Sequence, residues 1–141
     1  MHKTLVARLS MIALTTVAGS ALAADSAFVG HWTFQSGSKA TTPCSAGYLD
    51  ETGKAFDLTP GSAPGEFLSS FDGCTLTMVE SDASHARLKN ATSCTLSDGS
   101  TSYNVTFTSS TLVLDGSGVL SVELNGNSGI CALTVKGTAI R

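Results

Sequence analysis

Short runs in which apolar and polar residues alternate one by one, cut apart by Asp-Gly and Asn-Gly pairs, restrict this chain to β-hairpins. Such runs are Cys74-Thr75-Leu76-Thr77-Met78-Val79, Tyr103-Asn104-Val105-Thr106-Phe107, Leu120-Ser121-Val122-Glu123-Leu124 and Cys131-Ala132-Leu133-Thr134-Val135. A period of two puts all the apolar side chains on one face of a strand. The pairs Asp72-Gly73, Asp98-Gly99, Asp115-Gly116 and Asn125-Gly126 supply residues that tolerate the positive φ of tight hairpin turns.

The alternation predicts ten strands: Val29 to Gln35, Ala55 to Leu58, Glu66 to Ser70, Cys74 to Glu80, Ser84 to Lys89, Ser93 to Leu96, Ser102 to Thr108, Thr111 to Leu114, Val119 to Asn125 and Ile130 to Lys136. No stretch after residue 23 sustains helical spacing with caps. The expected fold class is all-β, a single small antiparallel β-sandwich or barrel, and the pattern leaves both architectures open. Two stretches read as loops, Ser36 to Gly47 and Thr59 to Gly65, and they carry all three prolines, Pro43, Pro60 and Pro64.

Ahead of these strands, residues 1–23 read as a signal peptide. Basic residues come first (Lys3, Arg8, beside His2), then an apolar stretch from Met11 to Val17, then Ala21-Leu22-Ala23 as a small-residue cleavage site. The stretch is too short and too interrupted by Thr15, Thr16, Gly19 and Ser20 for a span of about 20 residues. Cleavage after Ala23 exposes Ala24-Asp25-Ser26, with no cysteine to carry a lipid. The expectation is a secreted, periplasmic or cell-surface protein whose residues 24–141 form one β domain, a size suited to one core. A membrane barrel needs strands of about 9 to 11 residues with aromatic girdles. The runs here are shorter and aromatics are few, so the domain is not expected to be membrane-embedded.

Without the leader, six basic residues face eleven acidic ones, a net charge of -5. A mildly acidic, scattered charge pattern repels nucleic acid. Nucleic-acid binding is therefore not expected.

All four cysteines, Cys44, Cys74, Cys94 and Cys131, follow the leader, and an even number in an exported chain predicts disulfides. Their spacings of 30, 20 and 37 residues contain no close pair of the kind that holds zinc, so no metal site is expected. Of three possible connectivities we expect Cys74 with Cys94 and Cys44 with Cys131. A hairpin turning near Ser81 to Ala83, followed by a tight reversal through Asn90 to Ser93, returns Cys94 to the end where Cys74 lies. If Ser93 to Leu96 were instead the next ladder strand, Cys94 would stand about 9.5 Å from Cys74, too far for a bond. The second pair follows by elimination and because a closing meander brings its last strand towards its first.

Familiar catalytic arrangements are missing. There is no G-x-S-x-G elbow and no H-E-x-x-H, and only His31 and His85 lie beyond the leader. A hydrolase using two carboxylates stays open in principle. Asp50, Asp72, Asp98 and Asp115, however, sit in apparent turns, and Asp50-Glu51-Thr52-Gly53 lacks the regular ligand spacing of a calcium loop. We expect no catalytic residues and no cofactor.

The aromatic cluster Phe28-Val29-Gly30-His31-Trp32-Thr33-Phe34 puts Phe28, Gly30, Trp32 and Phe34 on one face and His31 on the other. The first face is expected to plug a β core. Gly30-His31-Trp32 resembles the G-x-W opening of calycin barrels, the group of lipocalins, avidins and small secreted metalloproteinase inhibitors. Further along, Cys74-Thr75-Leu76-Thr77, then Ser93-Cys94-Thr95-Leu96, then Cys131 and a short terminal strand are similar to small secreted β proteins of unassigned function in myxobacteria and related bacteria. The resemblances imply export and a β fold, and no ligand residues carry over. The expected function is a non-catalytic binding or interaction domain for a small molecule or a protein, a protease-inhibitor-like role being one version. A structural matrix or coat protein is the first alternative and a carboxylate-dependent hydrolase the second.

Overall fold

The computed structural model describes residues 26–41, 44, 46–97 and 99–141. The expected leader, Pro43 and the Asp98 half of one turn lie outside the described residues. Eleven strands form: β1 Gly30–Phe34, β2 Lys39–Thr41, β3 Tyr48–Asp50, β4 Ala55–Pro60, β5 Glu66–Phe71, β6 Cys74–Asp82, β7 His85–Leu88, β8 Thr92–Ser97, β9 Ser102–Leu114, β10 Leu120–Ser128 and β11 Cys131–Ile140. There is no helix among the described residues, hence none long and apolar enough to cross a membrane.

The sheet runs β1, β4, β5, β6, β7, β9, β10, β11 and closes where β1 pairs with β11, Thr33 opposite Ile140. Every ladder is antiparallel, so the architecture is a barrel rather than a sandwich. The three remaining strands extend positions already occupied. β2 continues β1 along β11, β3 continues β4 beside β2, and β8 continues β7 along β9. Eight positions thus carry eleven strands in an up-and-down meander.

Several expectations change. β2 lies inside the stretch expected to be a loop, and β3 follows it. β9 runs unbroken through Ser109 and Ser110, where two strands were expected. Its register against β10 shifts between Asn125 and Gly126. This bulge lets one long strand bend around the barrel. β9 to β11 reach 9 to 13 residues, so strand length does not argue against a membrane barrel. On the outward face Ser93, Thr95, Asn104, Thr111, Ser121 and Asn127 are exposed.

One end of the barrel is plugged. Phe28 stacks on Phe67 with centroids 5.3 Å apart, and the Trp32 indole Nε1 donates to the Phe28 carbonyl at 2.8 Å. Trp32, Phe28, Phe67, Leu58 and Leu120 are buried there. The Arg141 guanidinium covers the Trp32 ring, and Ser26 bonds Glu80 to hold the plug segment in place. Burying these rings is worth about 1.5 to 3 kcal/mol per large side chain.

Candidate functional site

Above the plug the interior is not filled. A cavity of about 570 Å³ extends from mid-barrel to the other end. Each of the eight positions contributes to its wall: Phe34 from β1, Phe56 from β4, Phe71 from β5, Met78 from β6, Leu96 from β8, Phe107 from β9, Leu124 from β10 and Leu133 from β11. These are the inward positions of the alternating runs, so the same period that makes the strands makes the wall. Phe34 and Phe56 are 4.8 Å apart, and Phe71 meets Phe107 edge-on at 5.8 Å.

Two close contacts tighten the barrel wall. Gly126 points inward, where a Cβ would stand 2.7 Å from the Thr106 carbonyl oxygen and 3.1 Å from the Phe107 ring. On the neighbouring β11, Gly137 is packed by the buried Ser38, whose hydroxyl both donates to the Thr138 carbonyl and accepts from the Thr138 amide at 3.2 Å. These bonds continue the wall where β1 gives way to β2.

The mouth lies above the β5–β6 turn. Asp72 and Gly73 both have positive φ, 46° and 77°, and reverse the chain tightly. Past this turn, among the described residues, β3 has no ladder partner on its outer side and β8 has none towards β6. A slot therefore opens between them, bordered by Leu49, Glu51 and Lys54 on one flank and by Leu96, Ser97 and Tyr103 on the other. Glu51 and Lys54 form an ion pair at 3.0 Å, and Lys39 stands 5.6 Å from the Tyr48 ring centre. Asp72 is exposed at the rim.

Both disulfides lie at this end. Cys74 bonds Cys94 with Cα atoms 5.5 Å apart, and Cys44 bonds Cys131 at 5.0 Å. The route to Cys94 differs from the tight reversal expected at 90–93. The chain steps over at Lys89 to Ala91 and runs on in the same direction as β8, in the position β7 occupied beside β9. The β6–β7 ladder has ended at Met78 and Leu88, so Cys94 becomes a direct neighbour of Cys74. The bond joins two walls where no ladder does.

The other residues singled out in the sequence fall elsewhere. Trp32 belongs to the plug and does not line the cavity. His31 is exposed on the outer face with its Nδ1 2.6 Å from Asp57, and His85 pairs with Asp82 at 2.9 Å. Asp50 accepts the Thr52 amide, and Asp115 accepts the Ser117 hydroxyl and the amides of Ser117 and Val119. These bonds hold both carboxyls below their ordinary range: for Asp50 the Thr52 bonds lead, for Asp115 the Ser117 hydroxyl. Asp115 lies in the β9–β10 turn as expected, whereas Asp50, expected in a turn, is the last residue of β3 and caps the turn that follows it. The cavity residues Phe56, Phe71, Phe107, Leu124 and Leu133 carried no functional signal beyond their inward parity.

Fold and site together define a closed, disulfide-bonded antiparallel β-barrel of eight strand positions, with an apolar interior that opens at one end. No family model, curated protein or solved structure matches the chain.

Proposed function

We propose that this protein is a non-catalytic carrier that holds one small apolar molecule inside the barrel. The observation that carries this reading is the cavity: about 570 Å³, walled by four phenylalanines, Met78 and leucines, and open at one end. Its volume lies within the range of about 300 to 1,000 Å³ typical of ligand pockets. Eight strands make a barrel whose interior is either filled by side chains or just holds one small ligand. Here the plug end takes the first course and the mouth end the second.

An apolar void costs a small domain stability, because its lining loses packing partners. A ligand that fills it restores them. The carboxylates bordering the cavity do not favour a hydrolase: Glu51 is paired with Lys54, and Asp72 is solvated at the rim. Two disulfides fit an oxidising compartment. This supports export, in keeping with the leader read at residues 1–23.

Native mass spectrometry tests the reading. The protein is incubated with a panel of fatty acids, sterols, quinones and small aromatic compounds. One-to-one adducts with at least one apolar class are expected. A barrel that retains none of them contradicts the carrier function.

A further inference from the structure

Two serines interrupt the apolar lining of the cavity, each one inward step below a phenylalanine. β5 runs towards the mouth with Phe67, Ser69 and Phe71 as inward positions, so Ser69 stands between the plug, where Phe67 stacks on Phe28, and the cavity ring of Phe71. β9 runs the other way, with Val105, Phe107, Ser110 and Leu112 inward. The step from Phe107 to Ser110 is longer than the period of two because Thr108 is the extra residue of the bulge: Asn125 faces Ser109, and Gly126 faces Phe107. Without the bulge Thr111 would point inward and Leu112 outward. Phe71 and Phe107 meet edge-on 5.8 Å apart, so both serines lie on the plug side of one aromatic pair.

Ser38 and Ser110 are the buried polar residues among those described. Ser38 engages both backbone groups of Thr138. Ser110 is 7 % exposed, faces Leu124 on β10 and lines the cavity, and among the described residues its hydroxyl has no hydrogen-bond partner. No side-chain oxygen sealed from solvent lacks a partner among these residues, so the Ser110 hydroxyl opens onto the cavity. The half-buried Ser69 offers a second hydroxyl to the same space. A hydroxyl held in apolar surroundings without a partner has lost water and gained nothing in return. A water bound there needs about two to four polar partners, whereas a ligand oxygen needs one serine.

We propose that Ser110, assisted by Ser69, is the head-group site of the barrel, and that its ligand is a neutral apolar molecule which enters with a carbonyl or hydroxyl oxygen first. The inference rests on the carrier reading and names the ligand class of that site. A serine hydroxyl donates to a carbonyl and can donate to or accept from an alcohol. A carboxylate is excluded from this level because a buried charge needs a charged partner. The charged residues bordering the cavity, Glu51, Lys54 and Asp72, stand at the mouth, with Lys54 already paired to Glu51. An anionic head therefore stays at the mouth, and the oxygen of a neutral molecule reaches the floor.

Displacement of the apolar dye N-phenyl-1-naphthylamine by tetralin, 1-tetralone and 1-naphthoate, three bicyclic probes of similar size, tests the assignment. Ser110→Ala should weaken 1-tetralone by about five- to tenfold, the loss of one hydrogen bond. It should leave tetralin and 1-naphthoate within about twofold of the parent. Ser69→Ala should weaken 1-tetralone by a smaller factor, about two- to threefold. In the parent, the infrared carbonyl stretch of bound 1-tetralone should lie below its value in hexane, a reading that needs no variant to fold; in Ser110→Ala it should move back towards that value. Unchanged 1-tetralone binding in Ser110→Ala, an equal loss of tetralin or of 1-naphthoate, or a hexane-like stretch in the parent overturns the proposal while leaving the carrier reading intact. Failure of the dye and of all three probes to bind the parent overturns the carrier reading, and this inference with it.

Discussion

The Arg141 guanidinium lies 4.7 Å from the centre of the Trp32 ring, tying the segment after β11 to β1 at the plugged end. The indole is fully buried beneath it, and the Arg141 side chain also passes close to Gly30 and donates to the Val29 carbonyl at 3.3 Å. Removing the ring and removing its cover should have different costs. Trp32→Ala should lose about 3 to 5 kcal/mol. Arg141→Ala should lose about 0.5 to 2 kcal/mol, the range of a cation resting on an aromatic face. Urea denaturation of both variants measures the difference, and a Trp32→Ala protein as stable as the parent would remove the plug from this account.

Gly137 and Ser38 form a second fitted pair. A Cβ at Gly137 would overlap the Ser38 hydroxyl and Cβ and come 2.8 Å from its Cα. Gly137→Ala should therefore destabilise by about 1 to 3 kcal/mol, as overpacking does. Combining it with Ser38→Gly should cost less than the two single changes added together, a coupling of about 0.5 kcal/mol or more. Strict additivity in a double-mutant cycle would show that the two residues do not compete for the same space.

Much of this framework was legible in the sequence. The runs around Leu76, Val105, Val122 and Leu133 alternate over enough residues to declare strands, and Asp72-Gly73 declares its turn. Lys39–Thr41 and Tyr48–Asp50 do not, because three residues carry no period; β2 is aligned by β11, far along the chain, and β3 only by β2. Ser109 and Ser110 look like a break, yet Ser110 points inward and is buried within one continuous strand. The cavity was illegible for a different reason. Phe107 or Leu124 reads the same whether it fills a core or lines a hollow, because the number of strand positions around it is set by pairings between distant strands.

Acid should reveal the role of the β9–β10 turn. The Ser117 hydroxyl, followed by the Val119 amide, holds the Asp115 carboxyl below its ordinary value of 3.8. A depressed carboxyl contributes stability that is present above the unfolded value and lost as pH falls through the folded one. Asp115→Asn should therefore lower the melting temperature at pH 7, with the gap to the parent narrowing as the pH falls below about 4. Melts across pH 2 to 7, as approximate limits, give the comparison. A gap that stays constant throughout would show that the charge contributes nothing to the turn.

The carrier reading is tested most directly by filling the cavity and watching binding. Leu124 lies in the wall and is 6 % exposed, so Leu124→Trp adds bulk into the hollow rather than onto the surface. N-phenyl-1-naphthylamine should bind the parent saturably at one site, with enhanced fluorescence. The Leu124→Trp variant, still melting cooperatively, should lose that binding, and Leu133→Phe should weaken it. Dye that binds the filled and parent proteins equally, or that never saturates, would contradict the account.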